Sequence, residues 1–261
     1  ARRHGVQVRP ADVLVSEWDC TLESDHQGQL ALRLGLRLVK GFAEQSARRL
    51  AEARNASCYV DVADLARRAQ LDRGQISKLS AAGALEALVG NRHQANWAAL
   101  GIEKPLPLLA ETTVQEATPL LSVPSEGADL IADYASLGLT LGRHPLALLR
   151  PQLERQRCIT AAMLTHSRDG DRVRIAGLVI SRQRPGTATG VVFVTLEDET
   201  GVINLIVWSS LVEAQRRELL HARLLSVIGD VQSESGVIYV IAKRLEDRTA
   251  LLGRLETASR D

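Results

Sequence analysis

Hydrophobic and polar residues alternate with a period of two in two neighbouring stretches of the chain, residues 191–197 and 202–207. The segment between them, Asp198-Glu199-Thr200-Gly201, has the composition of a turn. Two alternating stretches joined by such a turn predict a β-hairpin with one buried face. The apolar set comprises Val192, Val194, Leu196, Ile203, Leu205 and Val207.

The register of this hairpin follows from the same pattern. A four-residue turn pairs the less apolar positions with one another, as Glu197–Val202, Thr195–Asn204 and Phe193–Ile206. It also pairs Leu196 with Ile203, and Val194 with Leu205. A shift by one residue would mix the two sets, so we expect Phe193, Thr195 and Asn204 to share one face.

Further strand and helix patterns surround the hairpin. Alternation predicts strands at residues 172–179, 224–231 and 237–245, and an apolar stripe predicts a helix over 209–220, with Ser210 and Glu213 as its capping box. Five strands with a helix between the third and the fourth is the order of an OB-fold. Gly177 suits the bend that the first strand of such a barrel requires.

The N-terminal part of the chain begins with short extended segments and continues with helical patterns. Leucine occupies every second position from 30 to 38, which is compatible with a strand. The passage around Lys40 and Gly41 resembles a helix-hairpin-helix element, in which a glycine-containing turn presents the free N–H groups of the next helix to a DNA phosphate. Ala43 replaces the usual second glycine and would hinder close approach, so a turn that only packs is the alternative.

A second helical unit follows. Its helices are predicted at 62–70, 73–82 and 92–100, with Asp72 and Asn91 as N-caps and Gly83 at a C-terminus. Four prolines among threonine, serine and acidic residues predict a linker between residues 103 and 126. Two more helices are predicted, one over 127–141 and one that begins near Pro145.

Charge is uneven along the chain, although the formal net charge is only +1. Residues 143–184 hold nine arginines against three acids, whereas residues 107–136 hold five acids and neither lysine nor arginine. A basic run that leads into a barrel strand suits a phosphate backbone. A solvated arginine-rich surface with no ligand has the same composition and remains the alternative.

Candidate catalytic chemistry is sparse. The three cysteines are far apart and have no metal-ligand spacing, which suggests reduced thiols and a cytoplasmic protein. The sequence has no apolar run long enough for a membrane span and no signal-peptide pattern. No metal-binding carboxylate cluster is visible in the sequence either, so we predict no catalytic residue, metal or cofactor in this chain. Because Met163 is the only methionine and the chain begins with Ala1, we expect a piece of a longer protein, and removal of an initiating methionine before Ala1 is the alternative.

The hairpin segment 191–208 resembles the second and third strands of OB domains in bacterial replicative polymerases and aminoacyl-tRNA synthetases. In those domains the exposed face of the pair contacts bases by stacking or hydrogen bonding. The resemblance implies that Phe193 and Asn204 stand where ligand contacts are made. The alternative is that Phe193 fills the mouth of the barrel and touches no ligand.

Motifs along the whole chain resemble the C-terminal third of bacterial C-family DNA polymerases, of the DNA polymerase III alpha-subunit type. They include Leu34–Gly41, Ala82–Leu85, Pro105–Leu108, Leu137–Leu139 and Gly142–Pro145, in that order before the OB segment. The opening Arg2–Val6, Trp18–Leu22 and the closing Ser259–Asp261 are most like the error-prone paralogue of the SOS mutagenesis cassette. This resemblance covers nearly the whole chain.

The resemblance implies a fold, a domain plan and an activity. The expected fold is α+β and multidomain, a helical helix-hairpin-helix region followed by a five-stranded OB-fold β-barrel. The expected segments are the end of the fingers at 1–104, a linker at 105–126, a helical connector at 127–165, the OB-fold at 166–248 and a polar tail at 249–261. The parent would be a magnesium-dependent DNA-directed DNA polymerase whose catalytic palm lies outside this chain, so this piece alone would be inactive.

The resemblance also implies partners. They are DNA, as single-stranded template or primer-template, and the inactive lesion-polymerase-like and recombinase-like proteins of the cassette. Leu106, Leu108 and Leu109 faintly resemble the peptide by which polymerases dock on a sliding clamp, but the usual glutamine and terminal aromatic residue are missing. We therefore expect the clamp to be reached indirectly, and no membrane is involved.

The candidate nucleic-acid residues come from strand phase, charge and these resemblances. They are Phe193, Thr195, Asn204, Arg174, Arg182, Arg184, Lys243, Arg244, Lys40 and Gly41. Two other functions stay open at this point. The barrel could bind RNA as an anticodon-type module, although that would leave the helical units unexplained, or its groove could hold a partner peptide and no nucleic acid.

Overall fold

The computed structural model describes residues 5–24, 28–102, 119, 121–185, 190–234 and 236–257. Its contacts divide the chain into two compact units, residues 1–142 and residues 143–261. The boundary between them falls inside segment 127–165, which the sequence analysis treats as one connector. The first helix of that segment packs with the N-terminal unit, and the second packs with the barrel.

The N-terminal unit opens with a three-stranded sheet. Its strands are β1 (Gln7–Arg9), β2 (Thr21–Ser24) and β3 (Leu30–Arg33), in the order β1-β3-β2. The predicted strand over 29–38 is wrong beyond Arg33, because a short 3-10 helix occupies Leu36–Leu38. The N–H groups of Leu36 and Arg37 donate to the carbonyls of Glu17 and Trp18, and so they leave the strand ladder.

Six helices complete the described part of the N-terminal unit. They are α1 (Glu44–Ala56), α2 (Val62–Arg68), α3 (Arg73–Ala81), α4 (Glu86–Val89), α5 (Arg92–Leu100) and α6 (Glu126–Ser136). Both predicted caps are confirmed: Asp72 and Gln75 form a capping box on α3, and Asn91 accepts from the N–H of Gln94 on α5. The core is built from fully buried side chains, among them Leu36, Leu50, Leu65, Ile76, Leu79 and Leu85.

Helix α6 is bound to this unit by two basic side chains. Arg92 donates to Asp129 Oδ1 at 2.8 Å and to Asp133 Oδ1 at 2.7 Å. Lys40 Nζ lies 2.8 Å from the carbonyl oxygen of Tyr134 and 2.9 Å from that of Ala135. A cation on the last carbonyls of a helix satisfies unpaired acceptors and complements the helix dipole.

The second unit is a closed barrel preceded by two helices, α7 (Pro145–Arg155) and α8 (Ala161–Leu164). The barrel strands are β4 (Arg172–Gln183), β5 (Val192–Glu197), β6 (Val202–Val207), β7 (Leu224–Glu234) and β8 (Val237–Asp247), and they close in the order β4-β5-β6-β8-β7. The predicted OB-fold is thereby confirmed, and so is every predicted pair of the β5–β6 hairpin. Its six apolar positions are buried in the barrel interior.

Gly177 stands where β4 changes its partner. Residues up to Leu178 pair with β7, and residues from Leu178 onward pair with β5. A Cβ at Gly177 would lie 2.7 Å from the Cβ of Leu196, closer than two carbons approach without a shift. The absence of a side chain therefore allows the two strands to meet at the bend, as the sequence predicts.

Two local predictions in the barrel are wrong. The helix between β6 and β7 is two short helices, α9 (Ser209–Ala214) and α10 (Arg216–His221), and α9 has no capping box because its N-cap is Trp208. Gln215 separates them, and its side-chain amide pairs with the N–H and C=O of Leu245. The segment predicted as a polar tail forms a 3-10 helix, Thr249–Thr257, in which Leu251 and Leu255 are buried.

Candidate nucleic-acid interface

One outer face of the barrel gathers aromatic, amide and aliphatic side chains from three strands. Strand pairing sets Phe193 beside Ile206, which in turn is beside Ile241. The next row sets Thr195 beside Asn204, and Asn204 beside Tyr239. We call these six residues the outer strip. Phe193 is 36 % exposed and the other five are half-buried, so the strip is accessible.

The outer strip can make two kinds of contact with a base. Phe193 and Tyr239 offer ring faces, and stacking on an aromatic ring tolerates any base. Thr195 and Asn204 supply hydroxyl and amide groups, and Thr195 Oγ1 already accepts from Ser181 Oγ at 3.3 Å. This arrangement suits a single strand whose bases are free to stack.

Tyr239 is a site residue that the sequence analysis missed. Its alternation with buried Val240 indicates an outward position, but the neighbour of that position could not be read from the pattern. Strands β6 and β8 pair in parallel although β7 intervenes in sequence, and this pairing puts Tyr239 against Asn204. Only the closure of the barrel therefore brings the second aromatic ring to the strip.

Arg182 does not lie on the outer strip. A β-bulge between Val179 and Ser181 inverts the phase of β4, so that Arg182 pairs with interior Val194 while Gln183 pairs with Phe193. Arg182 Nε donates to the carbonyl oxygen of Leu219 at 2.5 Å, and Nη2 donates to that of Ala222. Burial lowers the pKa of Arg182 from its usual value. Its guanidinium is therefore placed to cap α10.

The other basic candidates are spread around the barrel. Arg184 is exposed just after β4 ends. Arg174 pairs with Ile228, which pairs with Arg244, so both arginines lie on the β4–β7–β8 side. Lys243 is the extra residue of a bulge in β8, and its Nζ lies 3.6 Å from Asp230 Oδ2. Of the predicted barrel residues, Phe193, Thr195 and Asn204 are the three that lie on the outer strip.

The predicted hairpin of the N-terminal unit lies between the 3-10 helix and α1. Gly41 has φ +73°, a conformation that favours glycine, and its carbonyl accepts from Lys78 Nζ at 2.6 Å. The N-cap residue of α1, Ala43, provides no side-chain cap. Lys40 is exposed, but its ammonium lies on the carbonyls at the end of α6. Both lysines at the hairpin therefore donate to backbone carbonyls, and the N-terminus of α1 has no side-chain cap.

The remaining predictions concern the clamp-binding peptide, metal sites and membrane spans. Leu106, Leu108 and Leu109 lie outside the described residues. Across the part of the chain that the structure describes, no three His, Cys, Asp or Glu side chains gather as a metal site. Within the same ranges, every helix is too short or too polar to cross a bilayer.

Comparison with known proteins supports both halves of this architecture. Residues 5–95 match the family described as helix-hairpin-helix motif, and residues 173–248 match the OB-fold nucleic acid binding domain. An asparaginyl-tRNA synthetase structure from Pyrococcus horikoshii shares 25 % identity over 34 % of this chain and 22 % of its own, with a TM-score of 0.30. An OBody bound to lysozyme shares 16 % identity over 35 % and 91 %, with a TM-score of 0.29. These partial likenesses do not bear on function.

Relatives with high sequence identity match the entire chain. An error-prone DNA polymerase of Alkalilimnicola ehrlichii is 54 % identical over 261 residues, which are all of this chain and 26 % of the relative. One from Pseudomonas aeruginosa is 51 % identical over 262 residues, again all of this chain and 25 % of the relative. The chain spans about a quarter of the length of these relatives and matches their C-terminal part. Over its whole length, this chain is therefore similar to the C-terminal region of error-prone DNA polymerases.

Proposed function

We propose that this chain is a DNA-binding region that holds single-stranded template for an error-prone DNA polymerase. The observation that carries the proposal is the outer strip, where two aromatic rings and two polar side chains share one exposed barrel face. Each base stacked on an aromatic side chain adds roughly 1–3 kcal/mol. The hairpin before α1 supplies a second contact, to a phosphate of the DNA backbone.

The parent protein in this proposal is a DNA-directed DNA polymerase that acts in damage-induced mutagenesis and translesion synthesis. Nucleotidyl transfer and its magnesium ions belong to a catalytic palm outside this chain. The chain itself positions DNA and the lesion-polymerase-like and recombinase-like partners, and a sliding clamp is reached through one of them. The protein acts in the cytoplasm.

The test is fluorescence anisotropy with a labelled single-stranded oligonucleotide across a salt series. We expect weak, sequence-tolerant binding that falls as salt rises, because each phosphate contact releases counterions. Phe193→Ala should weaken binding about tenfold if one stacked base is lost. Val202→Ala is the matched control, since Val202 is also exposed on the hairpin but lies outside the strip. Circular dichroism checks that each variant is folded.

Competition identifies the ligand class. If unlabelled transfer RNA displaced the labelled DNA at a much lower concentration than unlabelled DNA does, an anticodon-type function would replace the proposal. Wild-type protein that binds neither nucleic acid at low salt, yet binds a cassette partner, would replace it with a protein-interaction platform. If the wild-type and Phe193→Ala proteins bound the oligonucleotide with equal affinity, Phe193 would be a structural residue that contacts no base.

A further inference from the structure

A surface pocket lined by three arginines lies where the end of α7 meets the start of β4. It is open to solvent, has a volume of about 360 Å³ and is lined by Gln156, Arg157, Arg172, Val173, Arg174 and Ile228. We call it the arginine pocket. Its arginines come from two separate elements, so the fold brings their positive charges together.

The backbone after α7 positions one of these arginines. Gln156 ends the helix, and Arg157 has φ +60°, a left-handed conformation that is uncommon for a residue with a side chain. The N–H of Arg157 donates to the carbonyl of Glu154 at 2.7 Å, and the N–H of Cys158 donates to that of Leu153 at 3.0 Å. These bonds fix the turn that carries Arg157 to the pocket.

Positive charge in the pocket is only partly neutralised. Arg172 Nε lies 3.1 Å from Asp230 Oδ1, and both side chains are solvent-accessible. Arg174 Nη1 donates to the backbone carbonyl of Gln156 at 3.4 Å, a neutral partner. Among the described residues, neither Arg157 nor Arg174 is paired with a carboxylate. Two guanidinium groups therefore keep their charge available for a ligand.

The arginine pocket is separate from the outer strip. Arg172 pairs with Asp230, which pairs with Ile241, and the row continues through Ile206 to Phe193. Arg172 is thus four strand spacings from Phe193, roughly 19 Å around the barrel. A base stacked on Phe193 cannot place its own phosphate in the pocket.

We propose that the arginine pocket binds a backbone phosphate of the DNA, as a further contact that lies on the β4–β7 side of the barrel. The planar fork of a guanidinium matches two phosphate oxygens, and several such forks around one anion are typical of phosphate recognition. Val173 and Ile228 are the two apolar residues among the six that line the pocket, and the other four carry guanidinium or amide groups that can donate to phosphate oxygens. The proposal rests on the proposed function in taking DNA as the source of the phosphate.

The test uses the full chain and an oligonucleotide roughly twice as long as the ~4–16 nucleotides that one OB-fold covers. In the variant Arg157→Gln with Arg174→Gln, affinity at low salt should fall about tenfold, as for lost charge-assisted hydrogen bonds. The slope of log affinity against log salt should become shallower by about 0.7 for one phosphate on a single strand. If the double variant does not fold, Arg157→Gln alone replaces it, because Arg157 is exposed.

The matched control is Arg216→Gln with Arg217→Gln, which removes the same charge from exposed positions on α10. An equal loss in the control and the pocket variant would overturn the proposal, because bulk charge would then explain it. Unchanged DNA binding of the pocket variant, together with weaker binding of polyglutamate, would overturn it in favour of an acidic peptide. Phe193→Ala on the same oligonucleotide tests the outer strip independently, so either site can fail alone.

Discussion

Arg150 and Glu199 form a two-pronged ion pair that fastens α7 to the turn of the barrel hairpin. Arg150 Nε lies 2.5 Å from Glu199 Oε1, and Nη2 lies 2.9 Å from Oε2. Arg150 is 9 % exposed, and buried Asp198 lies 3.5 Å from its Nη2. The Asp198 carboxylate also accepts from the N–H of Ala161 at 2.7 Å. One turn therefore holds both helices that precede the barrel.

The first prediction concerns this ion pair. Arg150→Ala should lower the free energy of unfolding by about 3 kcal/mol, because it leaves Asp198 and Glu199 with no cation in a buried site. Chemical denaturation followed by circular dichroism measures the change. Arg155→Ala, on the exposed side of the same helix, should stay within about 0.5 kcal/mol of wild type. Equal stability of the two variants would mean that the pair contributes nothing.

The second prediction concerns the bend in β4. Gly177→Ala should destabilise the barrel by about 1–3 kcal/mol, because the added methyl group would be forced against Leu196 at a well-packed crossing. Gly253→Ala is the control, since no heavy atom lies within 4 Å of a Cβ built there. A thermal melt of each variant gives the comparison, and a Gly177→Ala melt like that of wild type would show that the strands shift freely.

The sequence predicted the β5–β6 hairpin in full because its two faces differ so clearly in polarity. Each strand carries three interior residues at period two, so only one register keeps Leu196 against Ile203. The turn between β5 and β6 could also be predicted from its residues. The side chain of Asp198 accepts from the N–H of Thr200 at 2.7 Å and from that of Gly201 at 3.0 Å, as an aspartate in a turn is expected to do. Local pattern and turn chemistry were sufficient here.

The rest of the candidate site depends on features without a local signal. The bulge after Val179 adds one residue to β4 and moves Arg182 from the outer to the inner phase, and no composition rule marks that position. The contact of Tyr239 with Asn204 requires a parallel pairing across the barrel. Lys40 was predicted to bind a phosphate because of its place in the hairpin. Its ammonium group donates instead to backbone carbonyls at the end of α6, and these lie more than 90 residues further along the chain, where no local pattern could indicate them.

The third prediction is a loss of stability in mild acid. Hydrogen bonds from Arg33 and Arg9 outweigh burial and hold the pKa of Glu23 below its usual value of 4.5. A carboxyl with a depressed folded pKa stabilises the fold above pH 4.5, and this contribution is lost as the pH falls through the folded pKa. Denaturation of Glu23→Gln and wild type across this range should show a smaller pH dependence in the variant. If stability changed with pH in the same way in both proteins, Glu23 would not be a cause of the loss in acid.

The fourth prediction separates the two properties of Tyr239. Tyr239→Phe should bind single-stranded DNA as wild type does, because it keeps the ring, whereas Tyr239→Ala should weaken binding about tenfold through the loss of one stacked base. Anisotropy at constant low salt measures both. Should Tyr239→Phe lose as much affinity as Tyr239→Ala, the hydroxyl and not the ring would be the contact.

The fifth prediction assigns different effects to two neighbouring arginines. Arg182 caps α10 through the carbonyls of Leu219 and Ala222, so Arg182→Gln should cost about 1 kcal/mol of stability and leave the salt dependence of DNA binding unchanged. Arg184 is exposed beyond the strand, and Arg184→Gln should make the salt slope shallower by about 0.7 while stability is retained. Each variant therefore serves as the control for the other. A shallower slope for Arg182→Gln at unchanged stability would place its guanidinium on DNA and not on the helix end.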